Sequence, residues 1–377
     1  MSVRRTFAVA RKEVLHIVRD PRSLGMALAM PLVMLLLFGV ALTLDVDRIP
    51  TLVYDADRSL QSRELIARFD GSRFFDVLGH TNRYVDIESH VDSGEVLMAL
   101  AIPAGFSGEL LAGRQARVQI LLDGSDSNTA SIAIGYVNAL LGNYELDIRA
   151  EAQQRRLGRV IKPPAEARLR VWYNNELKSK NYIVPGLIAV ILMIIAALLT
   201  SLTIAREWEM GTMEQILSTP LRPAEIVLGK MLAYFGVGVA DTAMAILVGV
   251  FVFGVPFRGN VLLLAAACGI FLIGALFWGI LISAVARSQL LAYQMGMITS
   301  FLPAFLLSGF VYAIETMPTP IQLFTLIVPA RYFITILKGI FLKGVGLEVL
   351  AVELAFLVAY AGLVFLAATR KLRQKVA

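Results

Sequence analysis

A chain of 377 residues in which 57% are hydrophobic and only 17% are charged is unlike an average globular protein, where about 45–50% are apolar and about 25% are charged. Its mean hydropathy of +0.69 predicts lipid as the solvent for long stretches. The net charge of +6 would favour nucleic-acid binding in a soluble protein. Here most of the basic excess flanks apolar runs, so we predict no nucleic-acid partner.

Residues 1–23 predict an amphipathic helix that lies along the membrane surface. Apolar residues recur every three or four positions from Phe7 to Val18, and arginines and lysines occupy the other faces. A simple basic anchor for the first span would carry a similar charge, so both interpretations remain open at this point. Asp20 followed by Pro21 predicts that the chain turns there into the next helix.

Six apolar runs are long enough to cross about 30 Å of hydrocarbon, which takes about 20 helical residues. The first run, 24–44, follows a long charged segment and lacks a small-residue cleavage site, so it predicts a retained anchor rather than a signal peptide. The fold class is therefore a polytopic α-helical membrane protein with about six spans, five of them within 183–368. The predicted spans are Leu24–Leu44, Ile183–Ala205, Leu228–Phe253, Val261–Ala286, Leu290–Ala313 and Val349–Ala368.

The distribution of basic residues predicts that both termini are cytoplasmic, because lysine and arginine in short flanks stay on that side during insertion. The 369–377 tail is one of these basic flanks, and the opposite short segments hold few such residues. The long insert at 45–182 is accordingly predicted to be external. The basic residues on the predicted cytoplasmic side include Arg4, Arg5, Arg11, Lys12, Arg19, Arg22, Arg206, Arg222, Lys230, Arg287, Arg370, Lys371, Arg373 and Lys375.

The 45–182 insert predicts a compact extracytoplasmic α/β domain, because short β-rich runs alternate with helical patterns. The longest helical pattern is Ser127–Arg156. The turn before it, Asp123–Ser127, is rich in residues that cap helices, and a calcium or sugar site is a second interpretation of that turn. The predicted strands are Pro50–Tyr54, Val96–Pro103, Val118–Asp123 and Leu169–Trp172, and the shorter helices are Ser59–Phe69 and Ala104–Ala112.

No catalytic or metal-binding pattern is present in the sequence. His16, His80 and His90 have no partner at helical spacing, and Cys268 is the only cysteine, which excludes an intrachain disulfide and a cysteine zinc site. The phosphate-binding sequence G-x-x-x-x-G-K-[ST] is also absent. We therefore predict no metal site, no cofactor bound by this chain and no ATPase activity of its own; any ATP and Mg would belong to another polypeptide.

The segment 206–227 is more structured than a linker. Apolar residues at helical spacing predict one helix over Glu207–Leu217, with its glutamates on other faces. Pro220 predicts the end of that helix and Pro223 the start of the next. Such a segment either docks in a cleft of a partner protein or lies on the membrane, and three glutamates beside an anionic leaflet disfavour the second alternative.

Two further features lie within the last five spans. The segment 314–347 holds a shorter apolar stretch broken by prolines, which predicts re-entrant helices at the outer face. Asp241 is the one acid placed well inside a span, where a carboxyl group usually faces protein or water and pairs with another group. It has either a transport or gating role or a structural one, held protonated or paired within the helix.

The segment 206–230 resembles the signature of ABC-2 type exporter permeases. It reads RE-W-E-M-GT-M-EQ-I-L-STPLRP-A-EI-V-LGK, where the family has R-E-x-E-x-G-T-x-E-Q-L-x-x-T-P-x-x-x-x-E-x-x-x-G-K. Further similar stretches are KEVLHIVRDP from Lys12, DGSDSNTA from Asp123 and SGFVYAIETMP from Ser308. The chain looks most like the subfamily with a large external domain after the first helix, and the similar stretches span nearly its whole length.

This resemblance implies a permease subunit in a bacterial inner membrane that pairs with a second copy or a related permease and binds cytoplasmic ATP-binding-cassette subunits. It implies export of drugs, lipids, glycans or similar compounds, in some members with a periplasmic adaptor protein. The elbow residues that it implies are Lys12, Glu13, Arg19, Asp20 and Pro21. The ATPase-coupling residues that it implies are Arg206, Glu207, Gly211, Thr212, Glu214, Gln215, Leu217, Thr219, Pro220, Arg222 and Pro223.

Three function classes are compatible with these patterns. An ATP-driven permease predicts that ATP binding by its partners displaces Glu207–Leu217, which then tilts the second and third spans. An ion-coupled secondary transporter predicts paired broken helices in repeated halves, and the sequence has no convincing internal repeat. A sensor or assembly anchor would bind through its external domain, but it hardly needs five further spans. We rank the classes in that order.

Overall fold

A computed structural model describes residues 2–42, 47–157, 172–174, 178–286 and 288–376. The chain divides into two compact units: a helical unit, Met1–Leu44 with Arg170–Ala377, and an α/β unit, Asp45–Leu169. The α/β unit is thus shorter than the predicted 45–182 segment. Arg287 and most of the predicted strand Leu169–Trp172 lie outside the described residues.

The helical unit begins with two helices that follow each other directly. Helix α1 is Val3–Arg19 and α2 is Pro21–Ala41. The first helical position of α2 is a proline, which tolerates that position because its missing N–H would have no partner there. The chain thus changes from α1 to α2 at Asp20, where the sequence predicts the turn.

The α/β unit is built on a four-stranded sheet. The strand order is β2-β1-β3-β4, in which β1 pairs in parallel with both neighbours and β4 is antiparallel to β3. The central strand β3 is buried along its whole length, as expected of a strand covered on both faces. The elements are β1 (Ile49–Asp55), α3 (Leu60–Asp70), β2 (Phe75–Thr81), α4 (Val85–Asp92), β3 (Met98–Ile102), α5 (Phe106–Leu111), β4 (Gln119–Leu122) and α6 (Ser127–Leu157).

Two elements of the α/β unit, β2 and α4, are missing from the sequence prediction. Strand β2 lies at an edge of the sheet and contains Asp76 and Gly79, two residue types that are depleted in strands. Its pairing with β1 therefore depends on the neighbouring strand more than on its own residues. Helix α4 has only eight residues, too few for a clear helical period.

The turn before α6 contains local side-chain hydrogen bonds made by two aspartates. The Oδ1 atom of Asp123 accepts the N–H of Ser125 at 2.9 Å, and Thr129 donates its hydroxyl to Asp126 at 2.5 Å. The backbone N–H of Ser125 lowers the pKa of Asp123 below its usual value. Within the described ranges, no three His, Cys, Asp or Glu side chains are placed to hold a metal ion. Such local bonds are ordinary for aspartate and serine in turns, and both the capping and the calcium- or sugar-site interpretations stay predictions.

In the described part of the helical unit, five helices are long and apolar enough to cross a membrane, namely α2, α7, α9, α10 and α14. Helix α11 covers the predicted fifth span but ends at Leu306 rather than at Ala313. Its two glutamines, Gln289 and Gln294, lower its mean hydropathy. The helices after the α/β unit are α7 (Lys180–Glu209), α8 (Met213–Leu217), α9 (Pro223–Leu247), α10 (Val261–Val285), α11 (Gln289–Leu306), α12 (Thr319–Thr325), α13 (Pro329–Lys338) and α14 (Leu347–Val376).

Helix α11 extends between the same two ends of the helical unit as α7. At its start, Gln289 donates its backbone N–H to the Glu209 carboxylate at 2.8 Å. Just beyond its end, the carbonyl of Gly309 accepts the Tyr182 hydroxyl at 2.7 Å. Because Glu209 and Tyr182 lie at opposite ends of α7, α11, which has 18 residues, runs along α7 from one end of the helical unit toward the other.

Helices α12 and α13 form a bent pair between α11 and α14. Together with a π-helical turn, Gly339–Lys343, they bend by 78°, a geometry of a broken span or a re-entrant loop. The Lys338 ammonium lies 3.3 Å from the centroid of the Tyr182 ring, and the carbonyl of Phe341 accepts the N–H of Arg258 at 3.1 Å. These contacts lie at the end of the helical unit where α7 begins.

Helix α7 is the most buried helix of the unit, and α10 crosses it closely. The hydroxyl of Thr200 donates to the carbonyl of Leu276 at 2.9 Å. A Cβ atom on Gly279 would overlap Thr200 Oγ1 and the carbonyl of Ala197. Small residues at such crossings let helix backbones approach in a membrane, where packing rather than hydrophobic burial drives association.

Candidate functional site

Helix α1 packs on the start of α9 through a glycine. A Cβ atom on Gly229 would lie 2.6 Å from Val9 Cβ and 2.9 Å from the carbonyl of Thr6, distances that no ordinary side chain accommodates. The face of α1 that is buried contains Thr6, Ala10 and Glu13. Most of the apolar stripe that the sequence predicts, such as Phe7, remains exposed. Helix α1 therefore has a protein-facing side and a separate apolar side that suits the membrane surface.

Four charged side chains meet where α1, α7 and α9 come together. The Lys230 ammonium lies 2.9 Å from Glu13 Oε1 and 3.0 Å from Glu207 Oε1. The Lys12 ammonium lies 2.8 Å from Glu207 Oε1 and 3.4 Å from Glu13 Oε1. We call Lys12, Glu13, Glu207 and Lys230 the ion cluster, and the end of the helical unit that holds them the cluster end.

Three members of the ion cluster, Glu13, Glu207 and Lys230, are buried, and the four charges of the cluster balance. Lys230 is only 1% exposed, and an unpaired charge at such a depth would cost several kcal/mol, so the two glutamates are needed to offset it. Burial by itself raises the pKa of Glu13, but attraction to Lys230 and Lys12 outweighs it, and the net pKa is lowered. Burial likewise opposes the charge of Lys12, but its bond to Glu207 outweighs burial and its pKa is raised. Both groups are therefore charged at neutral pH.

The predicted single helix over Glu207–Leu217 is wrong. Helix α7 continues to Glu209, and α8 starts only at Met213. Between them Gly211 has φ +72°, a left-handed conformation that glycine adopts without strain and that ends helices. As a result Glu207 belongs to α7 and is buried in the ion cluster, whereas the sequence places it on an outward face of the loop.

The N-terminal end of α1 is tied to the segment between α8 and α9. Glu225 accepts the N–H of Ser2 at 2.7 Å and the N–H of Arg222 at 3.0 Å. Arg5 donates through Nη1 to the carbonyl of Pro220 at 2.6 Å. The start of α9 is thus held by a capping carboxylate that also fixes α1.

The remaining predicted coupling residues lie around α8. Met213 anchors α8 because its side chain is fully buried, while the neighbouring polar residues form an exposed surface. Arg206 donates through Nε to Gln289 Oε1 at 3.3 Å. Arg19, Asp20 and Pro21 lie at the exposed junction of α1 and α2, apart from the ion cluster. The exposed predicted residues of the α8 surface are Gly211, Glu214, Gln215, Thr219, Pro220 and Arg222, and Thr212, Leu217 and Pro223 are half-buried.

Comparison with known proteins identifies the family. A family model described as "ABC-2 family transporter protein" matches residues 21–370. The chain belongs to the ABC-2 transporter family. The resemblance seen at 206–230 is thereby confirmed, and this ABC-2 permease is a multi-pass membrane protein.

Several Escherichia coli (strain K12) proteins are similar to this ABC-2 permease along most of their length. It is 36% identical over 377 residues to "Probable multidrug ABC transporter permease YbhS", covering 99% of this chain and 98% of that protein. It is 32% identical over 345 residues to "Probable multidrug ABC transporter permease YbhR", covering 92% of each. It is 26% identical over 332 residues to "Inner membrane transport permease YhhJ", covering 87% and 86%.

Asp241 of the permease lies deep in α9. It is 1% exposed, and neither of its carboxylate oxygens has a hydrogen-bond partner among the described residues. It lies on the same helix as Lys230, eleven residues further along, which corresponds to about 16 Å. Asp241 is therefore separate from the ion cluster, and the pairing that the sequence leads us to expect is not observed in this part of the structure.

Lys230 is the site residue that sequence reasoning misses. From the sequence it is only a basic flanking residue and the last position of the family signature. The signal that could have found it is a lysine about two helical turns into the apolar helix Pro223–Leu247, because a charge there needs a buried partner. Its partners, Glu13 and Glu207, cannot be identified by spacing, since Glu13 is 217 positions away.

Proposed function

We propose that this chain is the membrane-spanning subunit of an ABC exporter that moves drugs or other amphipathic compounds out of the cytoplasm or inner leaflet. Separate cytoplasmic ATP-binding-cassette subunits would hydrolyse the ATP, with Mg, and this chain would convert their movement into transport. The observation that carries the proposal is the ion cluster, which joins α1 to α7 and α9, the two helices that α8 connects. The names of two relatives, multidrug ABC transporter permeases, support it.

The ion cluster gives the proposed coupling a physical basis. A partner that pushes on α8 moves the ends of α7 and α9, since α8 lies between them and is anchored by Met213. Those ends and α1 must move together, because separating Lys230 from its glutamates would leave charges buried without partners. A displacement at α8 therefore tilts the second and third spans as one body instead of being absorbed locally.

The proposal places the cluster end and both termini in the cytoplasm, and the α/β unit in the periplasm, of a bacterial inner membrane. The basic flanks favour this orientation. The permease would pair with a second copy or with a related permease to complete the transport pathway. A periplasmic adaptor protein that contacts the α/β unit is a further proposed partner, and export of lipids or glycans is the alternative within the same family.

Glu214→Arg should lower ATP-dependent efflux about tenfold or more, because it reverses a charge on the exposed face of α8 where a partner would dock. The measurement is substrate efflux in membrane vesicles that contain the permease and the ATPase encoded next to it. Glu348→Arg is the matched control, since Glu348 is also exposed but lies at the start of α14, at the opposite end of the helical unit. Undiminished efflux in Glu214→Arg would refute the assignment of α8 as the coupling surface.

We also propose a gating role for Asp241, because its buried carboxyl has no hydrogen-bond partner among the described residues. Asp241→Asn keeps the shape of the side chain but cannot ionise, and we expect efflux to fall about fivefold or more while the melting temperature stays the same or rises. Thr242→Ser is the control, because Thr242 is also buried on α9 and serine keeps its hydroxyl. Wild-type efflux in Asp241→Asn would show that no ionisable group is needed there.

Glu214→Arg also distinguishes the second candidate function, an ion-coupled secondary transporter, which the buried Asp241 favours. That function predicts that efflux survives Glu214→Arg and responds to an ion gradient without ATP, but is lost in Asp241→Asn. The ATP-driven exporter predicts that efflux requires the partner ATPase and is lost in Glu214→Arg.

A further inference from the structure

A cleft of about 1260 Å³ opens at the cluster end between α1, α2, α7 and the α8 segment. Residues of both α2 and α7 line it. In the second half of α2, Leu35 is completely buried and Gly39 lies against the ring of Phe253. The first half lines the cleft with exposed side chains, including Met26 and Met30. The cleft is larger than typical small-molecule pockets, which measure about 300–1,000 Å³.

The cleft changes from charged to apolar along its length. Arg5, His16 and Arg206 line it near the ion cluster, and Met30, Val33 and Leu198 line it further along α2 and α7. From Glu207 to Ile195, both of which line it, α7 rises about 18 Å. This is the length and polarity pattern of a molecule with a charged head group and an extended apolar chain.

The charged part of the cleft suits an anion. Its two carboxylates in the ion cluster, Glu13 and Glu207, are already matched by Lys12 and Lys230. Arg5 uses Nη1 for Pro220 and Arg206 uses Nε for Gln289, and each guanidinium has further N–H groups. Outside the ion cluster, the described residues that line the cleft include one carboxylate, Asp20. The two arginines therefore outnumber it, and the charge of this part of the cleft is positive. Arginine binds phosphate and carboxylate through several N–H groups at once, so these side chains favour an anionic head group.

We propose that this cleft binds an anionic amphiphile, with its phosphate or carboxylate head near Arg5 and Arg206 and its apolar chain along α2 and α7. Two sources of such a molecule share this chemistry: an anionic phospholipid that stays with the permease, or the exported compound itself. Binding does not depend on ATP, and the inference rests on the proposed function only where the amphiphile is the exported compound.

The test uses the purified full-length permease and two radiolabelled probes with identical chains, lysophosphatidylglycerol and lysophosphatidylcholine. We expect saturable binding, with about a tenfold preference for the anionic probe. Leu198→Trp and Met30→Trp each fill the apolar part of the cleft from a different helix and should weaken binding about tenfold. Leu366→Trp is the control, because Leu366 is exposed on α14 outside the cleft. Because the cleft is filled from two different helices, misfolding of one tryptophan variant leaves the other variant to test the proposal.

The head group is tested separately. The double variant Arg5→Gln with Arg206→Gln should bind both probes about equally, because the preference comes from the guanidinium groups while the apolar part is intact. The proposal is overturned if neither probe binds saturably, if the wild type binds both equally, or if both tryptophan variants bind the anionic probe like the wild type.

Efflux vesicles with the partner ATPase then identify the source. A tryptophan variant that loses probe binding but keeps efflux supports a resident lipid, and one that loses both supports the exported compound. Because the binding assay contains no ATPase, its failure leaves the exporter proposal standing, and a failure of ATP-dependent efflux leaves the binding site standing.

Discussion

Replacing Lys230 with methionine should destabilise the permease by about 3–5 kcal/mol, because it leaves Glu13 and Glu207 buried with half of their positive partners removed. The measurement is thermal unfolding of the full-length protein in detergent, together with ATP-dependent efflux. Lys12→Met is the matched control. It removes the other lysine of the ion cluster, but that side chain is 45% exposed, so water replaces part of its interaction and the expected loss is about 1 kcal/mol.

A compensating variant separates stability from coupling. Lys230→Met combined with Glu13→Gln and Glu207→Gln removes the three buried charges and leaves only Lys12, whose side chain is 45% exposed. We expect most of the lost stability to return because no uncompensated buried carboxylate remains. Efflux should nevertheless stay low, because the three helices are then no longer held by ion pairs. Wild-type efflux in the compensated variant would mean that the ion cluster only stabilises the fold. A Lys230→Met variant as stable as the wild type would contradict the buried geometry itself.

Gly279→Ala should destabilise the permease by about 3 kcal/mol, at the upper end of the usual range for overpacking. The added methyl group would overlap Thr200 Oγ1 and the carbonyl of Ala197. The second of these is backbone and cannot rotate away, so α7 and α10 must move apart. Because the Thr200 hydroxyl also bonds the carbonyl of Leu276 on α10, the same shift breaks that hydrogen bond. Thermal unfolding of the full-length protein measures the effect.

Gly236→Ala is the control for this substitution. Gly236 also lies in a span, on α9, but no atom lies within 4 Å of the position that its Cβ would occupy. Alanine has a higher helix propensity than glycine by about 1 kcal/mol, so this variant should be as stable as the wild type or slightly more stable. Equal loss of stability in both variants would show that any methyl group in a span is harmful, and would remove the α7–α10 crossing as the cause.

The apolar runs and the helix boundaries illustrate what local residue patterns predict. The spans at 24–44, 183–205 and 261–286 correspond closely to α2, α7 and α10, because a span needs only length and apolar side chains. The prediction of the fifth span is less accurate at its C-terminal end, since α11 stops at Leu306. Residues after Leu306 are still apolar, but their conformation is set by contacts such as that between Tyr182 and Gly309.

The α8 segment shows where a local pattern misleads. Met210, Met213 and Ile216 fall at helical spacing, which predicts one helix, but Gly211 takes a left-handed conformation between the first two. Met210 is exposed and Met213 is buried, so the two do not share a face. Helical spacing describes which residues could align, and a single backbone angle at a glycine decides whether they do.

The sequence by itself determined the membrane class, the approximate positions of the spans, the inserted α/β unit and, through the residues at 206–230, the family. These depend on residue types that act over a few helical turns. Only the tertiary structure decided that Glu13 and Glu207 meet Lys230, that Asp241 stands apart from them and that α1, α2 and α7 line one cleft. Each of these features depends on helices that are distant in sequence. The packing of those helices, and not the neighbouring residues along the chain, determines which group lies close enough to neutralise a buried charge.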